Sequence, residues 1–257
     1  MGVKRKHVTA ERCKIPSGLV PIILYITMVI ITAGSAKAQD QPPSPFDGAH
    51  GTVAIDPGHG GKDVGGRGNA GATEKEICLA IARELTHRLE PGYRVVLTRS
   101  DDYDIPLEER PAVANHHRAD LFISIHTGAS YLRNTEGMGI YHYQPAARAV
   151  AAPSSSNTAL PLWHQAQMAH LNASQALAAS LRQSLVQLAD RPTVRTIAAP
   201  LAVLQGADMP AVIIEVGYLT HPSTEEELRS AEYQAALAQA IANGVERYYA
   251  ASQRRER

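Results

Sequence analysis

Residues 53–63 read VAIDPGHGGKD. Val53, Ala54 and Ile55 form a short, continuously apolar run, which predicts a strand buried on both faces. Asp56-Pro57 stops that strand, and His59 follows among Gly58, Gly60 and Gly61. A strand ending in such a loop predicts an imidazole on the rim of a sheet, where the backbone is held and the side chain reaches solvent.

The same kind of strand recurs along the chain. Tyr93–Arg99 (YRVVLTR), Leu121–His126 (LFISIH), Gly137–Tyr143 (GMGIYHY) and Ala211–Val216 (AVIIEV) read as strands, and Pro200–Leu204 as a short strand or turn. Helical patterns lie between them. Thr73 is placed to cap a helix to Leu89, with Glu76 completing a capping box and Ile77, Ile81, Leu85 and Leu89 on one face. Leu107–His117 reads as mostly helical, with Pro111 in its first turns. Trp163–Asp190 reads as one long Ala/Leu/Gln helix, and Thr220–Leu228 and Tyr233–Tyr249 close the chain. Alternating helices and apolar strands predict an α/β sandwich with both sheet faces covered.

The amino terminus is read apart from this domain. Lys4, Arg5, Lys6, Arg12 and Lys14 precede an apolar run from Leu19 to about Ile31, followed by Ala36-Lys37-Ala38. That order predicts a secretory signal peptide over residues 1–38, with an uncleaved anchor as the alternative. A Pro/Asp/Gly-rich linker follows over 39–51, then a catalytic domain over 52–250 and a charged tail over 251–257. Of the 25 basic and 25 acidic residues, six basic and one acidic lie in 1–38, leaving 19 against 24. A mildly negative exported chain does not capture nucleic acid by its global field. The sole cysteine beyond residue 38, Cys78, has no internal disulfide partner and falls in an apolar helical pattern.

Three polar groups stand where packing residues are expected: His59 past the first strand, His126 at the end of LFISIH, and Glu215 inside AVIIEVG. An unpaired buried carboxylate would cost several kcal/mol, on the order of 3 or more. Strand ends sharing one sheet edge converge on one crevice, and Glu74, in the first turn of its helix, can fold back over that edge. Two imidazoles and a carboxylate are a common catalytic zinc set, and a second carboxylate is the general base such a site needs. Spacing leaves the alternatives open: structural histidines, a helix-dipole carboxylate at Glu74, and a Glu215 paired with arginine.

The strings IDPGHGGKDVGG, ATEKEI, VVLTR, LEER…AN, ADLFISIH and MPAVIIEVGYLTHP occur in that order. Over about Val53–Tyr249 the chain resembles the zinc-dependent N-acetylmuramoyl-L-alanine amidases of the family-3 type. The resemblance implies a mixed, about six-stranded sheet flanked by helices in a single domain, and cleavage of the amide between the lactyl group of muramic acid and the L-alanine of the stem peptide. It implies one Zn2+ per chain on His59, Glu74 and His126, and Glu215 as catalytic glutamate. Peptidoglycan is then the substrate, in cell-wall turnover or daughter-cell separation, with a monomer in the periplasm or, alternatively, the extracellular wall. No membrane span remains after signal cleavage.

Two departures from the family stand out. His126-Thr127-Gly128 replaces the common HAN, and Val203-Leu204-Gln205 carries glutamine where arginine is frequent; altered substrate contacts are the expectation. Some relatives carry a helix that plugs the site until an activator protein displaces it. Gln144–Pro161 and the adjoining helix to Asp190 stand where such a device would sit, although their Ala/Ser/Pro composition does not argue for one.

Other readings are weaker. Gly66–Gly71 (GRGNAG) matches G-x-G-x-x-G but neither follows its strand directly nor opens a helix, and reads as a flexible loop. His116, His117 and His142 read as surface histidines, with His142 a candidate for the cleft wall, and Arg110 and Asn115 as supports behind the site. An exported zinc carboxypeptidase and a non-catalytic wall-binding protein are the alternatives. The first needs an arginine clamp for a free carboxyl terminus, and the second predicts a missing ligand or base.

Overall fold

The apolar run at Val53 forms β1 (Thr52–Pro57) in the computed structural model, which describes residues 49–146, 163–188 and 193–255. These lie within one unit, Phe46–Arg257. The expected signal, most of the linker, residues 147–161 of the Ala/Ser/Pro stretch and Asp190 lie outside the described residues. No helix among those described is long and apolar enough to cross a membrane.

The remaining elements are α1 (Glu74–Leu89), β2 (Arg94–Leu97), α2 (Glu109–His116), β3 (Leu121–Gly128), β4 (Met138–Tyr143), a 3-10 helix (Trp163–His170), α3 (Leu171–Leu185), β5 (Val194–Ala199), α4 (Ala202–Gln205), β6 (Ala211–Tyr218), α5 (Pro222–Arg229) and α6 (Ala231–Arg255). The six strands form one mixed sheet in the order β2-β1-β3-β6-β4-β5. Neighbours are parallel except β4 and β6, which run antiparallel.

Both faces are covered. Ile55, Ile123, Ile125, Val212 and Ile214 pack beneath Ile77, Ile81 and Leu85 of α1, Leu177 and Leu181 of α3, and Leu237, Ile241 and Val245 of α6. The alternate residues Ala54, Phe122, Ala211 and Ile213 pack with Ala114 of α2 and Val203 and Leu204 of α4. Each fully buried Leu or Ile contributes roughly 1.5–3 kcal/mol, so the two layers hold the sheet edge firmly.

Several expectations need correction. The missed strand is β5; Pro200–Leu204 instead leads into the single turn of α4. β5 is an edge strand with Arg195 and Thr196 exposed, so it lacks the continuous apolar signature of the inner strands. Trp163–Asp190 is a 3-10 helix followed by α3, broken at His170, which lies outside the helical region at φ −112°, ψ 8°. The α3 half belongs to the core, so it is not free to plug anything. Thr73 makes no side-chain bond to the helix amides; its hydroxyl donates to the Glu76 carboxylate instead. α6 runs on to Arg255, through most of the expected tail.

Candidate active site

β1, β3 and β6 run parallel and end at one edge, and that edge collects the polar residues. His126 lies opposite Glu215 in the β3–β6 register, so their side chains leave the same face of adjacent strands. His59 sits in the loop two residues past β1 with φ 59°, a left-handed conformation unusual for a residue with a side chain. Buried arginines hold it there. Arg110 donates to the carbonyls of Pro57 and His59, at 2.9 and 3.0 Å, and to Asp56 at 2.9 Å. Arg99, fully buried, donates to the carbonyls of Pro57 and Gly58. Asp56 completes this support by accepting from Thr98 and Ser124 at 2.6 and 2.7 Å. β2 stops at Leu97 rather than at Arg99; the Thr98 amide still donates to the Ile55 carbonyl at 3.0 Å, while the Thr98 and Arg99 side chains turn to this support.

Glu74 opens α1 and is nearly buried. Each of its oxygens meets one imidazole and one amide. Oε1 lies 3.0 Å from His126 Nδ1 and accepts from the Thr127 amide at 2.9 Å. Oε2 lies 3.1 Å from His59 Nε2 and accepts from the Gly66 amide at 2.8 Å. Gly58 and Gly65 make room for this closure. A Cβ at Gly58 would come within 2.5 Å of the His126 ring, and one at Gly65 within 2.6 Å of the His59 ring and 2.7 Å of Glu74 Oε2.

His59, Glu74 and His126 are positioned to bind a metal ion, each offering a ligand atom, all within 4.8 Å of one another. The chemistry of the set fits a cation. His59 Nδ1 donates to Asp63 Oδ2 at 2.7 Å, which leaves the Nε2 lone pair aimed at a carboxylate oxygen unless a proton or a cation intervenes. The hydrogen bond to Glu74 accordingly raises the His59 pKa, with burial opposing it. Burial works against the Glu74 charge, but hydrogen bonds from His126, His59 and Gly66 outweigh it and hold the carboxyl far below the usual carboxylate range.

Glu215 is half-buried beside this trio. With His126, it lines a cavity of about 290 Å3 whose other walls are Leu107, Tyr141, Leu201, Ala202, Val203 and Ile213. Tyr141 Oη donates to Glu215 Oε2 at 2.8 Å. The alternative of a Glu215 paired with arginine is not what is seen among the described residues; its partner is a phenol, which alternation along β4 turns to the Glu215 face. His142, the residue singled out as a candidate for the cleft wall, points away and lines a different depression with Tyr143 and Leu171.

The remaining expectations sort simply. His116 and His117 contact each other edge-on at 5.1 Å, apart from the trio. Asn115 donates to the Gly206 carbonyl and accepts from the Asp208 amide, supporting the turn before β6. The Gly66–Gly71 loop, expected to be flexible, is fastened: buried Glu225 of α5 accepts from the amides of Ala70 and Ala72, and Asn69 donates to the Thr220 carbonyl. No sequence pattern near residue 66 pointed to a carboxylate more than 150 residues away.

A family described as N-acetylmuramoyl-L-alanine amidase matches residues 53–247. The chain is 34% identical over 234 residues to the N-acetylmuramoyl-L-alanine amidase AmiC of Neisseria meningitidis serogroup B, covering 82% of this chain and 56% of that protein. It is 29% identical to AmiA of Escherichia coli K12, covering 95% and 93%. The chain thus spans little more than half of the Neisseria protein and nearly all of the Escherichia coli one. Among solved structures, AmiC2 of Nostoc punctiforme superposes with a TM-score of 0.64 at 30% identity, over 78% of this chain and 97% of that one. Sheet, ligand trio and a match running almost from β1 to the end of α6 agree, and the chain belongs to the N-acetylmuramoyl-L-alanine amidase family.

Proposed function

We propose that this protein is an exported zinc hydrolase that cleaves the amide between N-acetylmuramic acid and the L-alanine of peptidoglycan stem peptides. The observation carrying the reading is a trio of ligating atoms within 4.8 Å, with an independent carboxylate, Glu215, on the strand beside His126. His59, Glu74 and His126 would hold the ion. Bound zinc supplies Lewis acidity, polarising a carbonyl and lowering the pKa of water.

The chain's own residues do the rest. Asp63 fixes the His59 tautomer, which leaves Nε2 as the atom that would hold the ion. Glu215 takes a proton from the attacking water and returns it to the departing amine of L-alanine. The cavity beside Glu215, with its apolar walls, limits water around the reacting carbonyl. Residues 1–38 as signal, 39–51 as linker, 52–250 as catalytic domain and 251–257 as tail complete the reading, and place the reaction in the periplasm or wall, in turnover or daughter-cell separation.

The test is digestion of purified sacculi by the zinc-loaded protein, with mass spectrometry of the soluble products. Free stem peptides beginning at alanine, from unbroken glycan strands, are expected. They should disappear with EDTA and with Glu215→Ala. Peptides shortened from their carboxyl ends would make the protein a peptidase instead, and no product would sink the hydrolase reading.

A further inference from the structure

Among the described residues the polar contact to the Glu215 side chain is the Tyr141 phenol, and its setting is specific. β4 and β6 are antiparallel, with Gly139 opposite Glu215 and Tyr141 opposite Ile213. Tyr141 is therefore diagonal to Glu215 on the same face, within reach of a long side chain across two strands. Its ring lies back over Gly139, where a Cβ would come within 2.7 Å of the ring and 3.3 Å of the hydroxyl. Residue 139 has to lack a side chain for the phenol to lie as it does.

The wall around this pair is otherwise apolar, from Leu107, Leu201, Ala202, Val203 and Ile213, with His126 at its margin. A carboxylate on such a wall, with three side-chain torsions, has many orientations, and a general base has to meet its proton within hydrogen-bond reach. We propose that Tyr141 is the positioning residue for Glu215: its hydroxyl holds Oε2, so that Oε1 is presented to the substrate side, and Gly139 is the gap that permits it. The phenol stays protonated throughout and transfers nothing. Burial first, and then the bond to Glu215 and its charge, push its pKa well up, consistent with a standing donor.

This inference rests on the amidase reading with Glu215 as base, and the test separates the two. Kinetics on a soluble muropeptide are measured for wild type, Tyr141→Phe, Gly139→Ala, Glu215→Ala and the Tyr141→Phe/Glu215→Ala double variant, with bound zinc quantified in each. Tyr141→Phe is expected to lower kcat about 10- to 100-fold, part of what a general base supplies, with KM and zinc content unchanged. Gly139→Ala, which keeps the phenol but moves it, is expected to lower kcat in the same direction. In the Glu215→Ala background, Tyr141→Phe should change the rate by less than about twofold, because the two act as one unit. An unchanged kcat in Tyr141→Phe, or the same loss with and without Glu215, overturns the proposal.

A second arm needs no activity. In protein labelled at the tyrosine 13Cζ, the resonance lost in Tyr141→Phe should shift in Glu215→Ala; a resonance that stays put overturns the contact itself. If wild type releases no stem peptide, the amidase reading falls and the catalytic role of Tyr141 with it, while the labelled resonance still reports whether the pair exists.

Discussion

Glu74 spends both of its oxygens on two imidazoles and two backbone amides, which fixes its orientation without any metal. Asp63 does the complementary work on His59 from a more exposed position. Asp63→Ala should therefore leave the fold intact but weaken zinc binding about 10- to 100-fold, the usual effect of losing such an outer partner; competition with a chromophoric chelator measures it. The pH behaviour has a definite sign. His59 has a raised folded-state pKa, so its contribution to the metal-free protein is present below pH 6.5 and lost as pH rises through the raised value. Glu74 has a lowered one, so its contribution is present above its ordinary 4.5 and lost as pH falls toward the lowered value. Metal-free protein is thus expected to be most stable in mildly acidic solution. Bound zinc would displace the His59 proton, so zinc affinity is expected to climb with pH over the range where metal-free stability falls. Thermal melts with and without zinc, at several pH values, should diverge as pH rises; parallel curves would show that the trio does not titrate in this way. His59, His126 and Glu215 were legible because each breaks an apolar or glycine-rich string, whereas Glu74 stands in the charged first turn of its helix and was singled out by that place and by the family resemblance. Tyr141 was not, because an aromatic residue in a strand is ordinary, and only the register against β6 reveals what its hydroxyl meets.

Elements were legible in proportion to their burial. β1, β3 and β6 are covered on both faces and announce themselves as apolar runs, whereas β5 has one neighbour and open positions at Arg195 and Thr196. The break between the 3-10 helix and α3 was hidden because the Ala/Gln/Leu composition suits either side of it. It is set by tertiary bonds: Gln167 donates to the carbonyls of Ala207 and Met209, each at 2.8 Å, while its own oxygen accepts from Ser174. The contact of α3 with α6 makes a quantitative prediction. A Cβ at Gly244 would lie 2.8 Å from the Leu181 Cα, a backbone atom that cannot swing aside. Gly244→Ala gains up to about 1 kcal/mol of helix propensity, but overpacking costs about 1–3 kcal/mol. A net loss of stability in urea titration is expected; a gain would mean that the two helices slide apart freely.

At the scale of the whole molecule, order and direction in the sheet decide where chemistry sits. Four parallel strands bring three loop or strand ends to one edge, and the antiparallel β4 inserts Tyr141 from the other side of Glu215. The alternation of helices and apolar strands was enough to predict a covered sheet. It could not give the strand order, because nothing local in GMGIYHY distinguishes a parallel from an antiparallel partner.

The reversed direction of β4 has one more outcome, which concerns tolerance to change. Gly139 faces Glu215 while His142 faces Val212, so the chain leaves β4 at the edge opposite the ligands. There Gln144 and Pro145 share a depression with Leu171 and Asn172 at the start of α3. The chain thus leaves β4 at the edge remote from His59 and His126, and added length there carries only a slowly growing closure cost. A short epitope tag inserted after Ala146 is expected to leave zinc affinity within about twofold of wild type, measured by the same chelator competition. The exit from β4 and the trio positioned for a metal ion occupy opposite ends of the strands, so one can be rewritten while the other stays as it is.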